Sequence, residues 1–281
     1  MMWEQGIQGD DEEEIILLKP SDITASADPL IDSLISGVGN VSVSGSSRIL
    51  LVLDLNGLLV QRVHLSEATK AEKKLLLKNL PHGPKKSTKY LAWLRPNIEN
   101  FLEFVFERYD VIVWSSAKRM NIDGLLNISM SPEQQKYLVD IYDQSYCEEI
   151  GLHPTDNQKP LFLKELGKIW SKYPRYNAEN TLLIDDSYYK AVKNPPGTAI
   201  HPKEWTRVET RDSKLAKGGS IREYLEALYN ASKVSSYAGV PDFVETYPFD
   251  SGFSKQELDE AFRLASIALE YLEAAKQDHV V

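Results

Sequence analysis

The chain has 281 residues, 31.8 kDa, with 41 acidic against 32 basic side chains and a formal net charge of −9. An apolar fraction of 42% with 10% aromatic residues is enough to fill a core, which excludes wholesale disorder. The longest nearly apolar stretch, Ile49 to Val60, is broken by Asp54 and Asn56 and falls far short of the roughly 20 residues that a bilayer span needs, so no membrane span is expected.

The acidity sits at the ends. Residues 1–22 carry seven acids and one base, residues 242–281 nine acids and three bases, and the stretch between them 25 acids and 28 bases. A mildly basic centre inside an acidic whole argues against direct nucleic-acid binding and is compatible with an anionic ligand. The start, with Asp10, Asp11, Glu12, Glu13 and Glu14, has neither the cationic start of a signal peptide nor the Arg-rich character of a mitochondrial presequence. The single Cys147 cannot form an internal disulfide, so an intracellular setting is expected, nucleus or cytosol rather than mitochondrion.

In chain order, residues 1–46 read as a mobile tail, first acidic and then Ser- and Gly-rich. A domain over 47–235 follows, and 236–281 read as a C-terminal extension with a packing helix. The domain opens on Ile49-Leu50-Leu51-Val52-Leu53, a run apolar on both faces that predicts a strand buried between helices. Ser66 to Arg95 is Lys-rich and reads as a solvated helix with a loop at Pro81-His82-Gly83-Pro84, or as a basic flap beside an anion site. Pro96 to Tyr109 has the spacing of an amphipathic helix. Strands are predicted at Val111–Trp114, at Thr181–Ile184 and, more weakly, at Thr198–Ile200. Helices are predicted at 161–173 and 221–231. Strands alternating with helices imply an α/β domain with a mostly parallel sheet. In the extension, Ser254 and Glu257 form a capping-box signature before Leu258, Phe262, Ala265, Leu269 and Leu272 at helical spacing. His64, His82, His153, His201 and His279 show no metal-ligand spacing.

Ligands of open parallel sheets bind at the carboxyl ends of the strands, so the residues that end the apolar runs carry the chemistry. They are Asp54 with Asn56, Ser115 with Ser116, and Asp185 with Asp186; Lys164 falls on the helix predicted before the third strand. For a phosphate ligand each type has a use. A carboxylate can attack phosphorus and split one hard hydrolysis into two easier steps. Clustered carboxylates suit Mg²⁺, and a hydroxyl and an ammonium supply donors to the remaining oxygens.

Leu-Val-Leu-Asp-Leu-Asn-Gly at 51–57, Val-Ile-Val-Trp-Ser-Ser at 111–116, Leu-Lys-Glu-Leu at 163–166 and Leu-Leu-Ile-Asp-Asp-Ser at 182–187 resemble the four motifs of the haloacid dehalogenase superfamily. Leu94-Arg95-Pro96, Asn194-Pro195-Pro196 and Ala199-Ile200 narrow the resemblance to the RNA polymerase II C-terminal-domain phosphatases. That family includes the small C-terminal-domain phosphatases and a receptor subunit of the mitochondrial translocase. Asp-Leu-Asn-Gly with Asp143-Gln144-Ser145-Tyr146-Cys147 is similar to a plant-type branch.

The resemblance covers residues 48–235. It implies a haloacid dehalogenase-like parallel sheet flanked by helices, with a small insertion at 130–160 in place of a large cap. It implies Asp54 as nucleophile and metal ligand, the backbone carbonyl of Asn56 and Asp186 as further Mg²⁺ ligands with Asp185 assisting, and Ser115 and Lys164 on the phosphate. Its substrates are phosphoserine and phosphothreonine in extended protein segments, so the partner expected is a phosphorylated protein or peptide.

One departure matters. The family has a second Asp, the general acid and base, where this chain has Asn56, and an amide can do neither. Two outcomes follow: a Mg²⁺-dependent phosphoprotein phosphatase slowed at the acid–base step, or a catalytically inactive pseudophosphatase that binds a peptide or phosphopeptide, as the translocase receptor's use of this fold suggests.

Overall fold

The computed structural model describes residues 48–78, 83–87 and 89–278. The tail read over 1–46, the Pro81-His82 loop positions and His279 lie outside them. Ten strands run through the described residues: β1 Leu50–Leu53, β2 Val60–His64, β3 Lys85–Ser87, β4 Tyr90–Leu94, β5 Asp110–Trp114, β6 Leu138–Tyr142, β7 Glu148–His153, β8 Asp156–Leu163, β9 Thr181–Ile184 and β10 Ala199–Ile200.

The main sheet has the order β10-β9-β1-β5-β6, and every pairing in it is parallel. The three central strands are the apolar runs predicted above, and both of their faces are covered. Leu51, Leu53, Val111, Val113, Leu182 and Ile184 pack on one side against the helices Ile98–Arg108, Arg119–Ser129 and Ser220–Ala231. Leu50, Val52, Ile112, Trp114 and Leu183 pack on the other against Leu166 and Ile169, at the start of and within the helix Gly167–Lys172. Alternate residues of each strand point to opposite faces, so a strand buried on both sides has no polar positions to spare.

The structure corrects three elements. The helix predicted over 161–173 is confined to Gly167–Lys172; Leu161–Leu163 end β8, which pairs antiparallel with β7. Within the predicted insertion, Leu138–Tyr142 is a fifth parallel strand on the edge beyond β5. The Lys-rich segment does form a helix, Lys70–Leu77, with a Thr69–Glu72 capping box, but β2, β4 and β3 around it make an antiparallel sheet. No helix among the described residues is long and apolar enough to cross a membrane.

One further set of contacts fixes the loop after Asp54, and another starts the last helix. Arg95, 1% exposed, forks onto Asp212 (Nε to Oδ1 2.8 Å, Nη2 to Oδ2 3.0 Å) and donates from Nη1 to the Leu58 carbonyl at 2.9 Å. The loop after Asp54 is thereby tied to a segment far along the chain. At the C-terminus the Ser254–Glu257 capping box is formed and opens the helix Lys255–Asp278. Its buried face is Leu264, Ala265, Ala268, Tyr271 and Leu272, packed on Leu161, Leu163 and Tyr189. Phe262 and Leu269, predicted for that face, are 53% and 45% exposed because the stripe is rotated toward Ala268.

Candidate active site

The strand register assembles the site. Leu53 pairs with Val113 on one side and Ile184 on the other, and Ile184 pairs with Ile200. The next residues, Asp54, Trp114, Asp185 and His201, therefore leave the sheet at one level, at its carboxyl edge. Hydrogen bonds extend the ladder one step further, from Asp54 N–H to the Ile184 carbonyl (3.0 Å), Asp185 N–H to that of Ile200 (3.2 Å) and Ser115 N–H to that of Tyr142 (3.0 Å).

Lys164 is fully buried among these strand ends. It sits in the turn between β8 and the helix Gly167–Lys172, not on a helix. Its ammonium donates to Asp54 Oδ1 at 2.8 Å, to the Trp114 carbonyl at 2.6 Å and to Asp185 Oδ2, so all three protons have acceptors. Asn194 holds the turn in shape, donating to the Lys164 carbonyl and accepting from Leu166 N–H, both at 2.9 Å. The sequence motif that contains Asn194 thus has a positioning role beneath the lysine.

A second buried lysine, Lys190, was not singled out by the sequence. Its ammonium donates to Asp185 Oδ1 at 2.8 Å and lies 3.8 Å from both Asp54 Oδ2 and Asp186 Oδ1. The backbone joins the two lysines directly, Lys164 N–H donating to the Lys190 carbonyl at 2.8 Å. The one available signal was spacing: a cation four residues after Asp186, one turn on.

Asp54, Asp185 and Asp186 each offer an oxygen, all within 4.8 Å of one another. Burial raises the Asp185 carboxyl's pKa, but the ammonium groups of Lys164 and Lys190 outweigh it and hold the group well below the usual carboxylate range. Asp186 fares differently. Burial pushes its pKa up to about 8; Lys190 opposes this, while the charges of Asp185, Asp54 and Glu204 add to it. Its Oδ1 is buried with no hydrogen-bond partner. An under-compensated carboxylate beside two others is the donor set of a hard divalent cation, so these residues fit Mg²⁺.

A testable stability effect follows. The folded-state pKa of Asp186 lies above the unfolded value near 4, so stability present below about pH 4 is lost as pH rises through about 8. Without divalent metal at pH 8, Asp186→Asn should be more stable than the native chain, with a higher Tm, and the gap should close toward pH 4. Thermal melts at the two pH values check this.

The Asp-Leu-Asn-Gly loop is shaped by its glycine. Gly57 has φ +88°, and a Cβ there would stand 2.9 Å from Asp186 Oδ2 and 3.0 Å from Glu204 Cγ. Trp205 N–H closes the same spot from above, donating to the Gly57 carbonyl at 2.7 Å. Asn56 is half-buried, and its Oδ1 accepts from Arg62 N–H at 3.1 Å. Ser115 is buried next to Trp114, whose carbonyl Lys164 takes. His201 donates from Nδ1 to the Asp185 carbonyl at 2.8 Å, and burial lowers its pKa, so it is a neutral prop beneath the site. On the Lys-rich segment, Lys70, Lys73, Lys74, Lys78, Lys85, Lys86 and Lys89 are exposed.

A family profile described as NLI interacting factor-like phosphatase matches residues 49–235. Among curated proteins, an FCP1 homology domain-containing protein of Schizosaccharomyces pombe is 26% identical over 199 residues, 68% of this chain and 75% of that one. Ubiquitin-like domain-containing CTD phosphatase 1 of Drosophila melanogaster is 30% identical over 137 residues, 48% of this chain and 41% of the relative. Its namesake in Danio rerio is 27% identical over 150 residues, 52% and 45%. The chain thus spans less than half the length of these phosphatases. Among solved structures, Fcp1, an RNA polymerase II CTD phosphatase, aligns with 87% of this chain and 66% of its own at 11% identity and a TM-score of 0.42.

Proposed function

We propose, because the chain belongs to the NLI interacting factor-like phosphatase family, that it hydrolyses phosphoserine and phosphothreonine in protein segments, with Mg²⁺, through Asp54, and slowly because Asn56 stands at the acid–base position. The observation that carries this reading is the ammonium of Lys164, buried between Asp54, Asp185 and the Trp114 carbonyl at the carboxyl edge of the sheet.

Asp54 is the nucleophile. One of its carboxylate oxygens forms a bond to phosphorus as the bond from phosphorus to the substrate's Ser or Thr oxygen breaks, and water then attacks the aspartyl phosphate and releases the carboxylate. Lys164 fixes Asp54 Oδ1 and neutralises charge where an anion meets an anion. Ser115, at the end of β5, donates to a phosphate oxygen. Asp54, the Asn56 carbonyl and Asp186 would hold Mg²⁺, which supplies further charge neutralisation to the phosphoryl group. Asp185 takes a supporting place, because both of its oxygens are already held by ammonium groups. Asn56 can neither protonate the leaving oxygen nor take a proton from the attacking water. The setting is the nucleus or cytosol and the partner a phosphorylated protein.

A second reading, a phosphopeptide-binding pseudophosphatase, is favoured by one contact: the Asn56 oxygen is already occupied by Arg62 N–H. Acid quenching of a single turnover on a radiolabelled phosphopeptide separates the two. The enzyme reading expects hydroxylamine-sensitive label on Asp54, dependent on Mg²⁺ and absent from Asp54→Asn. Turnover that survives Asp54→Asn overturns it, and tight binding with neither label nor turnover leaves the second reading.

A further inference from the structure

We propose that Lys190 is a resident counter-ion of the metal cradle: its ammonium holds Asp54 and Asp186 in the metal-free protein, and a divalent cation displaces it toward the phosphate. This rests on the phosphatase reading for the identity of the cradle. Nζ stands at the same 3.8 Å from Asp54 Oδ2 and Asp186 Oδ1, the carboxylates assigned to the metal. That distance is attraction without a hydrogen bond, so the ammonium lowers the cradle's negative potential without using up the ligand oxygens. The side chain is 9% exposed, so in the metal-free protein its ammonium faces these carboxylates rather than water.

Charge makes the consequence specific. With all three carboxylates ionised, as ligands of a metal are, Lys164 alone would leave −2 and Lys164 with Lys190 leaves −1. A dication held by Asp54 and Asp186 would meet the positive charge of Lys190 beside the same two carboxylates. Lys190 has somewhere to go, because its flexible stem can carry the ammonium to a phosphate oxygen. Asp185 keeps Lys164 on Oδ2 and the Ser187 N–H on Oδ1 at 2.9 Å when Lys190 leaves. The site therefore binds metal poorly alone and well together with phosphate. A purely structural Lys190, serving only as the partner of buried Asp185, would affect stability and leave metal affinity unchanged.

Titration calorimetry with MgCl₂ on the full chain, with and without inorganic phosphate, tests this. Lys190→Met should bind Mg²⁺ about tenfold more tightly than the native protein in the absence of phosphate. Phosphate should tighten Mg²⁺ binding to the native protein and do so less for Lys190→Met. Lys190→Gln serves if the Met variant misfolds, and the phosphate effect on the native protein needs no variant. Equal or weaker Mg²⁺ binding by both variants, or no effect of phosphate on the native protein, overturns the proposal. If Asp54 is still labelled in a Mg²⁺-dependent way, only the role of Lys190 is lost. If nothing binds Mg²⁺ with or without phosphate and no label forms, the proposed function falls with it.

Discussion

Asn56→Asp should raise Mg²⁺-dependent phosphate release by about 10²–10³-fold, the lower part of the range that a positioned acid–base group contributes. The two side chains have the same shape. One oxygen of the new carboxylate can keep the bond that Asn56 Oδ1 accepts from Arg62 N–H at 3.1 Å, and the other replaces the amide nitrogen. The loop need not move, because its course is set elsewhere, by the φ of +88° at Gly57, by Trp205 N–H on the Gly57 carbonyl and by Arg95 on the Leu58 carbonyl. The gain should stay below the upper limit because the change adds a negative charge to the loop whose Gly57 lies against Asp186, a carboxyl already pushed up by burial and by the charges of its neighbours. Single-turnover rates for aspartyl-phosphate formation and for its hydrolysis should both rise. A variant that folds, binds Mg²⁺ and is no faster would show that position 56 has no proton to move.

Lys164→Met should cost about 3–5 kcal/mol of stability, the usual penalty for leaving a buried charge without its partner. For a chain of this size that is about 10 °C in Tm. The substitution removes one ammonium from three acceptors at once. Asp54 Oδ1 and the Trp114 carbonyl lose a partner, and Asp185 keeps only Lys190 and the Ser187 N–H. The effect should be non-additive. Asp185→Asn in the Lys164→Met background should recover part of the loss, because the stranded charge goes with it. Urea melts of both single variants and the double variant measure the coupling. A loss below about 1 kcal/mol would mean that water reaches the site and the lysine is not the keystone it resembles.

The central strands were legible because burial on both faces leaves nothing but apolar residues in β1, β5 and β9, and the chemistry stands one residue past each run. What hid the rest was partial burial. In β6, Asp140 interrupts the apolar pattern, and the structure shows why it can: it lies on an edge strand, where it accepts from Lys172 at 2.7 Å and Tyr173 at 3.0 Å. At the end of β8, Leu161 and Leu163, with Leu166 three residues further on, fit a strand followed by a turn as readily as a helix. In the sheet of β2, β3 and β4 the lysines of β3 mask the alternation, with Lys85 and Lys86 exposed and Ser87 buried. Asp54, Asp185, Asp186, Ser115 and Lys164 stand out in the sequence because they end strands or sit in a motif. Lys190 stands in no motif; Asn194, Arg95 and Gly57 do, but the contacts through which they act, such as Arg95 with Asp212, carry no local signature.

The helix Lys255–Asp278 has a further meaning. Inheritance draws the edge of the family at residue 235, yet mechanics draws it beyond 270, since Ala268 and its neighbours roof Tyr189, the residue beside Lys190. Trimmed at the inherited edge, the chain would uncover Leu161, Leu163 and Tyr189 and free the turn from which the second ammonium projects. The last helix, outside the residues that the family profile matches, is in this sense part of what holds the turn that carries Lys190.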